Sequence, residues 1–234
     1  MKYRNLTVVG TSHIAMQSMK EVEKTIEKIK PDIIAVELDR KRLYALVHGE
    51  KRRIRLGDIR RIGIKGYLFN LIGAWIEKRL GKVVGVKPGS EMITALRLAK
   101  KYKLKIALVD QDIEVTLKKI SKAIGPRFVF RLIWDLISSP FVGKRQLKKL
   151  GIKQIDLTKV PSKRVIRKLT KQVQKRYPNL YKVLVEERNE IIARNLGILM
   201  KKFPDKKVLA VIGAGHEEEV VALVKRNIGK IYKQ

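Results

Sequence analysis

With 234 residues, 54 Lys and Arg against 22 Asp and Glu, and no cysteine, the chain has a formal net charge of +32. The lack of cysteine excludes disulfides and thiolate metal sites, the polar N-terminus is unlike a signal peptide, and no apolar run reaches the roughly 18 residues that span a membrane. We therefore expect an α/β domain in a reducing compartment, in the cytoplasm or peripheral to a membrane.

Four short runs of apolar and β-branched residues predict buried parallel strands. They are Leu6–Gly10, Asp32–Leu38, Lys105–Val109 and Val208–Ile212. A helical pattern follows the first run, and it starts near Ser18, whose hydroxyl fits a capping box with Glu21. The alternation of strands and helices predicts an α/β fold with a mostly parallel sheet and flanking helices.

Further helical patterns cover most of the remaining chain, at Asp39–Gly49, Asp58–Leu80, Ser90–Tyr102, Ile113–Ile124 and Pro178–Phe203. Between Pro126 and Pro204 no run predicts a buried strand, so we expect a large all-helical insertion before the last strand. The prediction is one domain over residues 1–234, with an α/β core of 1–124 and 204–234 and a helical insertion of 125–203.

The positive charge is concentrated in one segment of this insertion. Thirteen Lys and Arg residues lie between Lys144 and Arg176, where Asp156 is the single acidic residue, and the apolar stretch Phe128–Val142 precedes them. A charge-rich thermophile surface, an anionic membrane and a nucleic acid all fit such a composition. Sparse aromatic residues make nucleic acid the weaker choice, and the insertion also offers a surface for a homodimer.

Two copies of a G-x-x-H motif follow the first and the last predicted strand. Gly10 to His13 is the first copy, Gly213 to His216 is the second, and they contain two of the three histidines in the chain. The glycine is expected to let the chain leave the strand with a positive φ. In α/β folds this junction of strand and helix is where ligands bind.

The carboxyl ends of the predicted strands carry His13, Glu37, Asp110 and His216. Two imidazoles with carboxylate oxygens suit a divalent ion such as Zn²⁺, Mn²⁺ or Co²⁺. Three alternatives remain open. One histidine could act as a general base oriented by Glu37, both histidines could cap helices, or the strands could merely end in polar residues.

The motifs GTSH, KPDIIAVELD, PGSEM, LVDQDI, ERN and VLAVIGAGH, which extend from residue 5 to about 226, resemble those of the TraB/PrgY family. This family includes the pheromone shutdown proteins and many archaeal members. It is related to the Tiki metalloproteases and, more distantly, to erythromycin-esterase-like and ChaN-like proteins.

The resemblance implies that His13, His216 and Glu37 form a metal-binding or active site. Tiki relatives are metal-dependent proteases, and pheromone shutdown members lower the activity of a peptide signal by degradation or sequestration. We therefore expect a metal-dependent, peptidase-like hydrolase with a Mn, Co or Zn ion. The alternative is a non-catalytic protein that sequesters a peptide or another ligand in the same cleft.

The ERN and PGSEM motifs supply further candidates. The resemblance favours a catalytic role for Arg188 beside Glu37, through binding of a carboxylate or an oxyanion, over an ion pair within its own helix. Asn189, Asp110 and Glu91 are assigned to substrate binding. Asp112 is expected to cap a helix, Glu91 also suits the first turn of a helix, and His48 is expected to be exposed.

Two features depart from the family pattern. Many members continue GAGH with V-x-G-I, whereas here Glu217, Glu218 and Glu219 follow His216. Three carboxylates suit the first turn of a helix, but they change what a substrate would meet beside His216. Many relatives also continue into hydrophobic C-terminal segments, whereas this sequence ends at Gln234, so we expect either a soluble protein or the soluble part of a longer one.

Overall fold

A five-stranded sheet organises the chain in a computed structural model that describes residues 1–12, 16–48, 56–84, 89–125, 128, 130–131, 134–135 and 160–231. The spatial order of the strands is β1-β2-β5-β3-β4. They are β1 (Lys2–Tyr3), β2 (Leu6–Thr11), β3 (Ile33–Val36), β4 (Lys105–Leu108) and β5 (Val208–Gly213). The four predicted strands are confirmed. The sequence analysis missed β1, which has only two residues and therefore no measurable alternation.

The last strand of the chain lies in the middle of the sheet. β5 pairs in parallel with β2 on one side and with β3 on the other, and β3 pairs in parallel with β4. Only β1 is antiparallel. All four long strands therefore point the same way, and their carboxyl ends meet at one edge of the sheet.

Helices cover both faces of the sheet. They are α1 (Met16–Ile29), α2 (Arg40–Val47), α3 (Ile59–Ile62), α4 (Ile64–Val84), α5 (Ser90–Lys101), α6 (Ile113–Ala123), α7 (Lys163–Arg176), α8 (Pro178–Tyr181), α9 (Glu187–Lys202) and α10 (Glu217–Ile231). Alternate strand residues pack against α9 and α10 on one face and against α1 and α5 on the other. The burial of β3 and β5 between two helical layers explains their unbroken apolar sequences.

A separate apolar cluster joins α3 and α6 to the segment that follows α7. Ile62, Ile120, Leu180 and Val183 are among its buried members. The described part of the predicted insertion, from residue 160 to α9, is helical, which confirms the expected helical segment before the last strand. Among the helices described here, none is both long and apolar enough to cross a membrane.

One local prediction was wrong. Ser18 does not form the predicted capping box, because it lies inside α1 and its hydroxyl accepts a bond from the Ser12 N–H at 2.9 Å. The segment 58–80 is largely helical, as predicted, but Gly63, with a φ of 76°, separates α3 from α4. The predicted helix 178–203 is also helical, and it includes a π-helical segment, Lys182–Glu186, between α8 and α9.

Candidate functional site

Polar side chains converge at the carboxyl edge of the sheet. Glu37 directly follows β3, Asp110 lies two residues after β4, and the turn Gly213–His216 follows β5. The His216 N–H donates to the Gly213 carbonyl at 2.9 Å and closes that turn. Ser12 is the last described residue after β2, so His13, the next residue in the chain, lies outside the described residues.

Glu37 is the centre of this cluster, and it is only 3% exposed. Its Oε2 accepts the Gly213 N–H at 2.6 Å, so a carboxylate from β3 contacts the backbone at the end of the neighbouring β5. Its Oε1 pairs with Nη2 of Arg188 and lies 3.6 Å from Nε2 of His216. Both carboxylate oxygens are therefore held by donors from elements that are distant in sequence.

Arg188 of α9 joins two carboxylates of adjacent strands. Its Nη2 lies 2.6 Å from Asp110 Oδ2, and its Nε lies 3.2 Å from Asp110 Oδ1, while Nη2 also contacts Glu37. Its Nη1 donates to the Leu184 carbonyl at 3.4 Å. The alternative of an ion pair within its own helix does not describe these contacts, since both carboxylates lie at the ends of strands.

The balance of forces on Arg188 keeps it charged. Burial lowers the pKa of the guanidinium, but the charges of Glu37 and Asp110 outweigh burial and raise the pKa above its ordinary value. On the other side of Asp110, Arg42 of α2 pairs with the same carboxylate and also with Asp39 at 2.7 Å. Arg188 and Arg42 thus form ion pairs with three carboxylates at this edge, those of Glu37, Asp39 and Asp110.

The orientation of the His216 ring follows from its neighbours. Asn189, which is fully buried, donates from Nδ2 to Glu219 Oε2 at 2.8 Å, and this bond turns its Oδ1 towards His216. Because Oδ1 can only accept, His216 Nδ1, 2.6 Å away, must carry the proton. In the neutral ring Nε2 is then the nitrogen without a proton, and it lies 3.6 Å from Glu37 Oε1.

These donors fit two positions of a divalent-metal site. The 3.6 Å between His216 Nε2 and Glu37 Oε1 is close to the roughly 3.4 Å between two ligands that lie about 2.1 Å from one tetrahedral ion. A metal-binding histidine also commonly donates its other N–H to a carbonyl oxygen. Within the described ranges no group of three or more His, Cys, Asp or Glu side chains could hold a metal ion.

The glycines of the two motifs do not have a positive φ, which corrects the expectation from sequence, and at Gly10 a side chain has no space. Neither Gly10 nor Gly213 is among the described residues with positive φ. A Cβ on Gly10 would lie 2.8 Å from Glu217 Oε2 and 3.0 Å from Ala214 Cα. A Cβ on Gly213 would lie 3.4 Å from both Glu37 Oε2 and His216 Cδ2.

The other predicted residues lie as follows. Glu91 is the second residue of α5 and is 1% exposed. Asp112 caps α6 by accepting the Glu114 N–H at 2.8 Å, as predicted. His48 is exposed, as predicted, and stacks on the ring of Tyr44.

Sequence reasoning missed three residues of this network. Asp39 caps α2 and holds Arg42 against Asp110, and its position in the E-L-D sequence directly before a helical pattern was an available signal. No sequence pattern indicated a role for Arg42, because it contacts Asp110, which lies 68 positions away in the chain. Glu219 lies three residues after His216, a spacing that places both near the start of one helix.

Two clefts adjoin the β5–α10 turn. One, of about 220 Å³, lies between α7 and this turn and is lined by residues that include Tyr181, Gly215 and Glu219. The other, of about 920 Å³, lies along β2 and is lined by residues that include Val9, Gly10 and Glu217. Both have Lys163, Ile166 and Ala214 in their walls, so the start of α7 separates them.

Comparison with known proteins identifies the family of this fold and site. The model of the TraB/PrgY/gumN family matches residues 2–227. The chain belongs to this family. The match confirms the resemblance that the sequence motifs indicated.

Several relatives share the domain. An uncharacterized protein of Methanocaldococcus jannaschii is 34% identical over 224 residues, which are 95% of this chain and 54% of that protein. TraB domain-containing proteins of Homo sapiens and Bos taurus are each 26% identical over 89% of this chain and about 60% of their own length. The chain thus spans little more than half the length of the curated relatives it matches.

Proposed function

We propose that this chain is a metal-dependent, peptidase-like hydrolase whose reaction centre lies at the carboxyl edge of the sheet. His216, Glu37 and His13 would hold a divalent ion there, of the Mn, Co or Zn type. The observation that carries the proposal is the approach of His216 Nε2 to Glu37 Oε1, at 3.6 Å, where Nε2 is the nitrogen of the neutral imidazole that bears no proton.

The buried network supports the proposal because it fixes both donors before any ligand arrives. Glu219 and Asn189 set the tautomer of His216, and Gly213 and Arg188 hold the two oxygens of Glu37. Pre-organised donors of this kind lower the cost of binding an ion. When bound, a divalent ion would supply a water with a pKa of about 7 at neutral pH.

The contacts of Arg188 favour a positioning role over direct binding of an oxyanion. Its three guanidinium nitrogens already contact Asp110, Glu37 and the Leu184 carbonyl. Four of its five N–H groups donate in these bonds, which leaves one N–H on Nη1 for any further ligand. We therefore assign Arg188 to the orientation of Glu37, and Glu37 to ion binding and to the acceptance of a proton from water.

The clefts beside the β5–α10 turn support a peptide as the substrate. The larger cleft, of about 920 Å³, lies within the size range of ligand pockets, whereas the smaller one, of about 220 Å³, is below it. Tyr181 and Glu219 line the smaller cleft, and Glu219 belongs to the hydrogen-bond chain that ends at His216. A ligand in this cleft would lie beside the proposed centre.

One observation favours a second function, which is sequestration of a ligand without catalysis. Arg188 and Arg42 form ion pairs with Glu37, Asp39 and Asp110, and both oxygens of Glu37 already accept hydrogen bonds, from Arg188 and from the Gly213 N–H. In such a protein the same cleft would bind a peptide, and the network would act only as a rigid frame.

Peptide cleavage by designed variants separates these functions. The purified chain is incubated with a mixed peptide library and with Mn²⁺, Co²⁺ or Zn²⁺, and the products are identified by mass spectrometry. We expect cleavage that stops on chelation and is lost in His216→Ala and Glu37→Gln, while His48→Ala, a change at an exposed histidine, remains active. Unchanged cleavage in His216→Ala would refute the proposed centre, and retention of intact peptides without cleavage would favour sequestration.

A further inference from the structure

Helix α4 presents a row of large apolar side chains to solvent. Ile64, Leu68, Leu71 and Trp75 are 65%, 44%, 43% and 55% exposed. Their spacing of four, three and four residues places them on one face of the helix. Such a continuous apolar row on a surface marks a site of interaction.

The opposite face of α4 is already packed. Gly66 is buried against the Leu117 carbonyl of α6, since a Cβ there would lie 2.6 Å from that oxygen. Phe69, three residues after Gly66 and on the same side of the helix, packs against the apolar cluster that joins α3 and α6. α4 is therefore apolar on two faces, and a helix of this composition is normally covered on both.

The amino-acid sequence that contains α4 is strongly basic, which favours an anionic partner for the exposed row. The sequence from residue 51 to residue 87 contains eleven Lys or Arg and two acidic residues, Asp58 and Glu77. A second copy of this chain would bring the same positive surplus to the interface. An anionic surface that also accepts apolar side chains complements both features, and a membrane of anionic lipids is such a surface.

We propose that α4 docks this protein onto anionic lipid membranes. The row from Ile64 to Trp75 enters the boundary between head groups and acyl chains, where Trp is favoured. The Lys and Arg residues of this part of the sequence attract the lipid phosphates. This inference rests on neither His216 nor Glu37 and is independent of the proposed hydrolase.

Vesicle co-sedimentation tests the role of the apolar row. Vesicles of phosphatidylcholine with phosphatidylglycerol in equal parts are compared with vesicles of phosphatidylcholine alone. We expect binding to the anionic vesicles that weakens as salt is added, and a partition coefficient lowered about tenfold or more by Leu68→Gln with Leu71→Gln. A control with Ile93→Gln and Ile198→Gln, which are 42% and 58% exposed on other helices, should bind as the unmodified chain does.

Tryptophan emission locates the contact without altering the row. The chain has two tryptophans, and Trp134→Phe leaves Trp75 as the single emitter. Its emission should shift to shorter wavelength on anionic vesicles and stay unchanged on phosphatidylcholine vesicles. The proposal is overturned by absence of binding, by binding that leaves Trp75 emission unchanged, or by light-scattering masses showing a dimer that the two Leu substitutions dissociate.

Discussion

At the scale of single residues, the site depends on ion pairs between side chains that have little contact with water. Glu37 and Asp110 have side chains that are 2% and 1% exposed, and Arg188 forms an ion pair with each of them. Removing one partner of a buried pair leaves an uncompensated charge, which costs far more than the pair itself contributes.

We therefore expect Arg188→Met to lower the free energy of unfolding by about 3–5 kcal/mol. Urea denaturation followed by circular dichroism measures this change. Arg194→Met, at an exposed position of the same helix, should change the free energy by about 0.5 kcal/mol or less. Combining Arg188→Met with Glu37→Gln should recover part of the loss, and a double variant less stable than Arg188→Met would contradict this account.

The tautomer of His216 gives a second prediction at this scale. Asn189→Leu removes the acceptor of the Nδ1 proton and should lower stability by about 1–3 kcal/mol. Nitrogen NMR of the imidazole should show Nε2 without a proton in the unmodified chain and a mixture of tautomers in the variant. Asn195 lies in the same helix as Asn189 and donates to the Val109 carbonyl. Asn195→Leu removes that bond but should leave the His216 NMR signals unchanged. A mixture of tautomers in the unmodified chain would contradict the assignment of the proton to Nδ1.

Part of this site could be predicted because parallel strands place their ends together. Glu37, Asp110 and His216 each follow a strand, so the sheet topology alone brings them to one edge. The partners from helices could not be predicted in this way. Arg188 reaches the sheet across 151 residues from Glu37, and such a contact depends on helix packing that leaves no local pattern in sequence.

At the scale of elements, glycines set how closely helices approach. Gly66 allows α4 to lie against the Leu117 carbonyl of α6, whereas at Gly73 of the same helix an added Cβ would meet no atom within 4 Å. The break at Gly63 has a different cause, since its φ of 76° favours glycine. Helical periodicity detects the apolar faces of these segments, but it detects neither the break nor the close approach.

We expect Gly66→Ala to destabilise the chain by about 1–3 kcal/mol, because the added methyl group overlaps a backbone oxygen. Gly73→Ala should stabilise it by about 0.5–1 kcal/mol through the lower entropy of the unfolded chain. Thermal and urea denaturation of both variants compare the two effects directly. Equal stability of the two variants would show that α4 and α6 are not packed as described.

At the scale of the whole molecule, stability should depend on ionised carboxylates. The Arg176 guanidinium lowers the pKa of Asp135, the Arg167 guanidinium lowers that of Glu218, and the Lys207 backbone N–H lowers that of Asp32. A lowered pKa in the folded state means that the unfolded state binds more protons near pH 4. The contributions of these three carboxylates to the free energy of unfolding are therefore present above a pH of about 4 and are lost below it.

We expect the urea midpoint to fall continuously as the pH decreases from about 5 to about 3. The charge of the chain reinforces this trend, since protonation of its 22 acidic residues leaves the 54 basic residues to repel one another. Arg167→Met should weaken the pH dependence, because Glu218 then loses the partner that lowers its pKa. A constant midpoint over this range would contradict the linkage.

The fold class was predictable at this scale, because alternating apolar strands and helices admit few arrangements. The spatial order of the strands was not. The insertion of β5 between β2 and β3 joins residues about 200 positions apart, and it makes the two G-x-x-H motifs follow neighbouring strands. That adjacency was the premise of the metal hypothesis, and the pairing of β2 with β5 satisfies it as far as Ser12, the last described residue before His13.

The most direct test of the proposed centre is calorimetric titration of the full chain with Mn²⁺, Co²⁺ or Zn²⁺. The three histidines allow a matched comparison of His13→Ala, His216→Ala and His48→Ala, each checked for folding by circular dichroism. The account predicts one bound ion per chain in the unmodified protein and in His48→Ala, with affinity lowered by about 100-fold or more in the other two variants. Equal affinity in all three variants, or no binding by the unmodified chain, would contradict it.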